Sequence, residues 1–218
     1  MGVFGDLFGK KDKKLRGLDI VWQKKEIKLK QLLVTAEKAM EEGYWVFISY
    51  YFKHSCEEFK QATNSAKYCE TTSLGEDGFV LDKKTALISY DLLKDPSKCY
   101  RLLSKVKGHN VKILFMEHYP LFNIEKTIED NLRQIEDKEI RINYFVSLDE
   151  PLLAKFAGSN IKELLLKMGM SEDESISHSM IDKAIMNLQE KLNKKTVYEY
   201  KADSIESWMK TNLPLDLS

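Results

Sequence analysis

The chain has 218 residues, enough for one domain with a substantial core, with or without an appendage. Its 34 basic residues balance 34 acidic ones, so no global charge draws it towards nucleic acid. Apolar runs fall short of the ~18–20 residues a membrane-spanning helix needs, no secretory leader opens the chain, and Cys56, Cys69 and Cys99 fit no metal or redox spacing, which points to a reduced cytoplasmic protein.

Residues 1–16 read as a tail. Phe4, Leu7 and Phe8, with Met1 and Val3, precede Lys10, Lys11, Lys13, Lys14 and Arg16. Apolar residues at helical spacing beside a lysine cluster either lie in a membrane interface, with the cations on anionic headgroups, or fray. From 17 to 42, Leu18, Trp22, Leu29, Leu33, Ala36 and Met40 recur at helical intervals and predict one amphipathic helix, ended by Gly43. Residues 44–51 form a continuous β-branched and aromatic run, the pattern of a strand buried on both faces. A helix is expected over 54–67, short extended pieces over 69–72 and 79–81, and a second strong strand over 85–90. Asp95-Pro96-Ser97 opens a helix that runs to 106. A strand over 111–116, a helix over 124–135 and a strand over 140–146 complete an alternation that predicts βαβ units and a parallel sheet. Beyond Leu148 the pattern is helical only: 151–157, 160–168, 180–193 with Ser179-x-x-Asp182 near a capping box, and 203–212. The expected organisation is a tail (1–16), a sheet domain (17–150) and a helical appendage (151–218).

One stretch carries a family likeness. Ser147-Leu148-Asp149-Glu150-Pro151-Leu152-Leu153-Ala154-Lys155-Phe156 is followed by Leu166-Lys167-Met168-Gly169-Met170, by Ile176-Ser177-His178-Ser179-Met180, and by Ala184-Ile185-Met186-Asn187-Leu188-Gln189-Glu190-Lys191. In that order these resemble the SecA protein-translocation ATPase where it leaves its second RecA-like domain for the helical scaffold: S-L-E-D-x-L-x-x-x-F, L-G-M, I-x-H-P, A-I-x-x-A-Q-x-K. Upstream, residues 85–90 sit where the family has V-T-I-A-T-N. Glu117-His118 and residues 128–133 sit where it has E-R-H-E-S-x-R-I-D-N-Q-L-R. The resemblance implies an α/β protein with a single RecA-like (P-loop NTPase-type) parallel sheet and a C-terminal helical part.

The departures bear on chemistry. Where the family runs A-G-R-G-T-D, this chain has Tyr90-Asp91-Leu92-Leu93-Lys94-Asp95-Pro96, without glycine or arginine. Where the family has G-R-x-G-R-Q-G, this chain has Gln134-Ile135-Glu136-Asp137-Lys138-Glu139. Three carboxylates there would repel a triphosphate. No G-x-x-x-x-G-K-[ST] loop occurs. The expectation is therefore a non-enzyme with no cofactor and no metal.

Arg133, Glu117 and His118 remain as candidates for an ATP or ADP contact. The last two follow a strand, at the edge where α/β ligands bind, and a structural role is the alternative for each. His178, at a helix start, either caps or packs. Three readings follow. The first is a non-catalytic, SecA-like protein-binding module of the bacterial cytoplasm, peripheral at the membrane's inner face if the tail docks, with translocase components as partners. The second is a weak nucleotide half-site completed by another protein's first RecA-like domain. The third is a small-ligand enzyme at the sheet edge near Ser49, Ser89, Glu117 and His118.

Overall fold

The computed structural model describes residues 15–63, 70–71, 84–156, 171 and 173–213. Its strands are β1 (Ile20–Trp22), β2 (Trp45–Tyr50), β3 (Glu70–Thr71), β4 (Thr85–Ser89), β5 (Asn110–Phe115) and β6 (Glu139–Ser147). They form one sheet of order β1-β6-β5-β2-β4-β3, every neighbouring pair parallel. The helices are α1 (Lys25–Glu41), α2 (Lys53–Thr63), α3 (Asp91–Lys94), α4 (Pro96–Ser104), α5 (Phe122–Arg133), α6 (Pro151–Phe156), α7 (Ser179–Lys195) and α8 (Ile205–Asn212). The α/β class and the parallel sheet expected from the alternation are both present.

The continuous apolar runs are explained by layers on both faces. Phe47, Ile113, Phe115 and Tyr144 face one core, closed by α3, α4, α5, α7 and α8. Val46, Ile48, Leu114, Met116 and Phe145 face the other, closed by Leu29, Leu32, Ala36 and Ala39 of α1 and Cys56 and Phe59 of α2. Strand alternation sends neighbouring residues to opposite layers, so most side chains of a central strand are apolar. Ile181, Ile185 and Leu192 of α7, with Trp208 and Met209 of α8, belong to the same buried cluster as Phe115 and Tyr144. Core packing therefore crosses residue 150.

Residues 17–42 are not one helix. Gly17 N donates to Ile142 O (2.8 Å), β1 pairs with residues 145–147 of β6, and α1 begins only at Lys25. Extending the sheet buries Val21 and Trp22 and satisfies the free edge of β6, which a helix could not do. Arg16, grouped by composition with the tail lysines, bridges to Ile142 at this edge.

Asp95 caps α4 as expected, accepting from Lys98 N (3.0 Å), with Pro96 at the first helical position. The cap of α7 is His178, not Ser179: its Nδ1 accepts from Met180 N (3.1 Å). Asp182 instead accepts from Asp19 N (3.2 Å). The tail residues Phe4, Leu7, Phe8, Lys10, Lys11, Lys13 and Lys14, the extended piece at 79–81 and the helix expected over 160–168 lie outside the described residues. Among the described residues no helix is long and apolar enough to cross a membrane.

Candidate functional site

Ligands of parallel α/β sheets bind beyond the C-terminal strand ends, where neighbouring connections leave towards opposite faces. Here β2 continues into α2 on one face and β5 into α5 on the other, so the crevice lies between the ends of β2 and β5. Glu117, just past β5, reaches across it. Its Oε1 accepts from Tyr51 N (3.0 Å) and Phe52 N (3.3 Å), and its Oε2 accepts from Ser55 Oγ in the first turn of α2. Backbone N–H groups at such a helix start are where an anion settles. The anion here is the protein's own carboxylate. Burial pushes the Glu117 carboxyl up, against the opposing pull of Lys28 and Ser55.

The floor and roof of the crevice are also self-satisfied. Lys28 of α1 is 1% exposed, although its place in a charged helix suggests solvent. Its Nζ donates to Met116 O (2.6 Å) and meets Glu150, whose other oxygen accepts from Ser147 N (2.8 Å). Leu152 and Leu153 of α6 and Ile205 of α8 close the top, His54 N donates to Asp203 O (2.9 Å), and Lys25 pairs with Glu58 (2.7 Å) at the rim. About 20 Å³ remains inside, room for one water molecule. Small-molecule sites are usually about 300–1,000 Å³.

Glu117 and His118 are adjacent in sequence but serve different networks. His118 Nδ1 lies 2.8 Å from Glu125 Oε1 and Nε2 lies 3.0 Å from Asp19 Oδ2, while the ring stacks on Tyr144 at 4.5 Å. Burial alone would push the imidazole down. Glu125 and Asp19 outweigh it and hold the pKa up at about 9. An imidazolium donating both N–H groups has no lone pair for base chemistry. Glu125 Oε1 also accepts from Tyr119 N (2.9 Å) and Gln189 Nε2 (2.8 Å), so the β5–α5 connection, α5 and α7 converge on one oxygen.

Arg16 completes the network. Its guanidinium meets Asp19 (3.1 Å), Glu125 (3.4 Å) and Glu129 (3.2 Å), and lies 4.3 Å from the centre of the Tyr144 ring. Arg133 touches this set only at its outer end, through Glu129 (3.2 Å), and also pairs with Asp130 (3.0 Å). It is exposed at the far end of the 12-residue α5. At ~1.5 Å per residue it lies ~12 Å along the helix from Glu125, the acid that meets His118. The structure therefore does not bring Arg133 together with Glu117. Ser49 Oγ is buried without a hydrogen-bond partner among the described residues, and Ser89 Oγ accepts from Asp91 N (3.3 Å). Among the described residues no group of three or more His, Cys, Asp or Glu side chains could hold a metal ion.

Sequence reasoning missed Arg16, Asp19, Lys28, Ser55, Glu125, Glu129 and Glu150. One signal was available: Glu125, Glu129 and Arg133 recur every four residues, the spacing of an ion ladder along one helix face. Lys28 and Glu150 are 122 residues apart, and no local pattern announces such a pair. Residues 91–94 form α3, with Leu92 and Leu93 buried. Asn131 Nδ2 pins it by donating to Leu93 O (3.0 Å) and Lys94 O (2.8 Å).

No protein-family profile matches the chain. Over 52 residues it is 38% identical to the protein translocase subunit SecA of Borreliella burgdorferi (strain ZS7), covering 24% of this chain and 6% of that protein. Over 49 residues it is 41% identical to SecA of Psychrobacter cryohalolentis, covering 22% of this chain and 5% of that one. The solved C-terminal part of the Fun30 ATPase domain aligns at 14% identity with a TM-score of 0.37, covering 75% of this chain and 53% of that one. The chain spans about one twentieth of the length of these translocase subunits.

Proposed function

We propose that this is a SecA-related protein that binds another polypeptide and turns over no nucleotide. The observation that supports this most is Glu117, whose carboxylate sits on the Tyr51 and Phe52 N–H groups in a crevice with about 20 Å³ to spare. A phosphate entering there would have to displace an internal anion that already holds its hydrogen bonds. A buried helix also stands where the resemblance implies a flexible glycine loop. Arg133, the arginine that a nucleotide half-site would use, is spent on Glu129 and Asp130. The same filled crevice leaves no room for a small substrate beside Glu117 and His118.

The partner class follows from the segment shared with SecA, whose name marks it as a translocase subunit. A component of the bacterial translocase, met in the cytoplasm or at the membrane's inner face, is the proposed partner. Two measurements on the full chain test this. Calorimetric titration with Mg-ATP should give no saturable heat, with no phosphate released. Immobilised chain should bind purified SecA or its membrane channel saturably. Turnover of ATP would overturn the non-catalytic part, and absence of binding to either translocase component would overturn the choice of partner.

A further inference from the structure

Lys28 and Glu150 lie 122 residues apart in the chain and meet side chain to side chain, with 1% and 9% of those side chains exposed. Both are fixed in place. Lys28 Nζ donates to Met116 O (2.6 Å), and Glu150 Oε2 accepts from Ser147 N (2.8 Å), which leaves Oε1 as the oxygen facing Nζ. An ammonium carries three N–H donors. Among the described residues Lys28 has two acceptors, Met116 O and Glu150 Oε1. Taking two opposite charges out of water is costly, and a neutral arrangement of similar shape is often at least as stable. By contrast Lys25 and Glu58, at the rim of the same crevice, keep about a quarter of their side chains in solvent.

We propose that Lys28 and Glu150 are a modification site, at which the folded chain joins the two side chains in an intramolecular isopeptide bond. The proposal stands apart from the protein-binding reading above. One proton passes from Nζ to Oε1, the freed lone pair of Nζ attacks Cδ of Glu150, and the Cδ–Oε1 bond breaks. Oε1 leaves as water with the two protons that Nζ has given up, so no oxidant, cofactor or second substrate enters the step. The product fits the contacts already present. An amide has one N–H, which keeps Met116 O, and one C=O, which keeps Ser147 N. The released water has a place in the void of about 20 Å³ that Glu117 and Glu150 border. Two groups held in contact inside a fold react with effective molarities of about 10⁵–10⁸ M, which free amine and carboxylate in water never meet. The bond ties α1 to the residue that opens α6, where the sheet passes into the C-terminal helices.

The test is the intact mass of the purified full chain, measured under denaturing conditions. It should lie one water below the mass of the unmodified sequence. A tryptic digest should return the segments carrying Lys28 and Glu150 as one branched species, with no cleavage after Lys28, while Lys25 and Glu58 remain unjoined. Lys28→Arg keeps the positive charge but cannot form this amide. That variant should show the full mass, and the parent, with its closed loop, should migrate ahead of it in a denaturing gel. The parent mass decides the matter even if the variant folds less well. A parent at full mass whose Lys28 and Glu150 peptides separate overturns the proposal. So does a missing water that persists in Lys28→Arg, because the lost water then belongs to another site. Neither outcome bears on binding to translocase components, which is measured separately.

Discussion

An imidazole between two buried carboxylates, as His118 is between Glu125 and Asp19, stabilises the fold only while it carries its proton. Its pKa rises from 6.5 to about 9 on folding. Below about 6.5 both the folded and the unfolded chain hold that proton and the contribution is complete. It falls as the pH climbs and is gone above about 9, an effect of about 3 kcal/mol. Asp19 acts in the opposite sense: burial pushes it up, but His118 and Arg16 hold it below the usual carboxylate range. Its contribution is therefore present at neutral pH and lost as the pH drops through and below that range. The urea midpoint of the parent should fall steadily between pH 6.5 and 9. His118→Gln should start lower at pH 6 and show a flat response through that window; a flat parent profile would sink the assignment.

Glu117 makes a second residue-scale case. Glu117→Ala leaves the Tyr51 and Phe52 N–H groups and the Ser55 hydroxyl without their acceptor, a loss of about 1–3 kcal/mol. Because the vacated cradle suits an anion, added sulfate should raise the melting temperature of this variant more than that of the parent. Equal responses in the two proteins would mean that the carboxylate fills no anion position.

At the scale of elements, the central strands were legible because each is buried on both faces and so reads as a mostly apolar, β-branched and aromatic run, interrupted only at Ser49 of β2 and Lys112 of β5. β1 was not legible. Its three residues are too few for a period, and Leu18 and Trp22 fit helical spacing equally well. What makes the segment a strand is the edge of β6, over a hundred residues later. The candidate site was half legible for the same reason. Glu117 and His118 could be placed at a strand end, but the partners that give them meaning lie on other elements. Local signals held where their cause is local, as in Asp95-Pro96 opening α4 and Gly43 ending α1. Gly43 takes a φ of 93°, and a Cβ there would meet nothing within 4 Å. Any loss in Gly43→Ala is therefore purely conformational and should be about 1 kcal/mol in urea unfolding, with an unchanged slope. A loss several times larger would mean that the glycine has a packing role the structure does not contain.

For the whole molecule, the question is whether the helices beyond residue 150 are an attachment or part of the core. Trp208 answers at one position. It is fully buried, its indole packs edge-on to Tyr119 at 6.1 Å, and its Nε1 anchors the strap through Glu199. Tyr119 in turn stacks on Phe52 and Tyr90, at the ends of β2 and β4. Gln189 of α7 adds a polar tie to Tyr119 O (2.7 Å). A separately folding attachment would make few such contacts, and removing its anchor would leave the sheet untouched. A shared core instead predicts one transition. Trp208→Ala should cost about 3–5 kcal/mol and lower the urea midpoint of the entire chain. Far-UV dichroism and the fluorescence of Trp22 and Trp45, which sit in β1 and β2, should still fall together. If the variant instead lost helical signal first and sheet-borne fluorescence later, the C-terminal helices would be a unit of their own. The crevice at the ends of β2 and β5 would then have a removable roof, and the claim that it is closed to ligands would lose its structural basis.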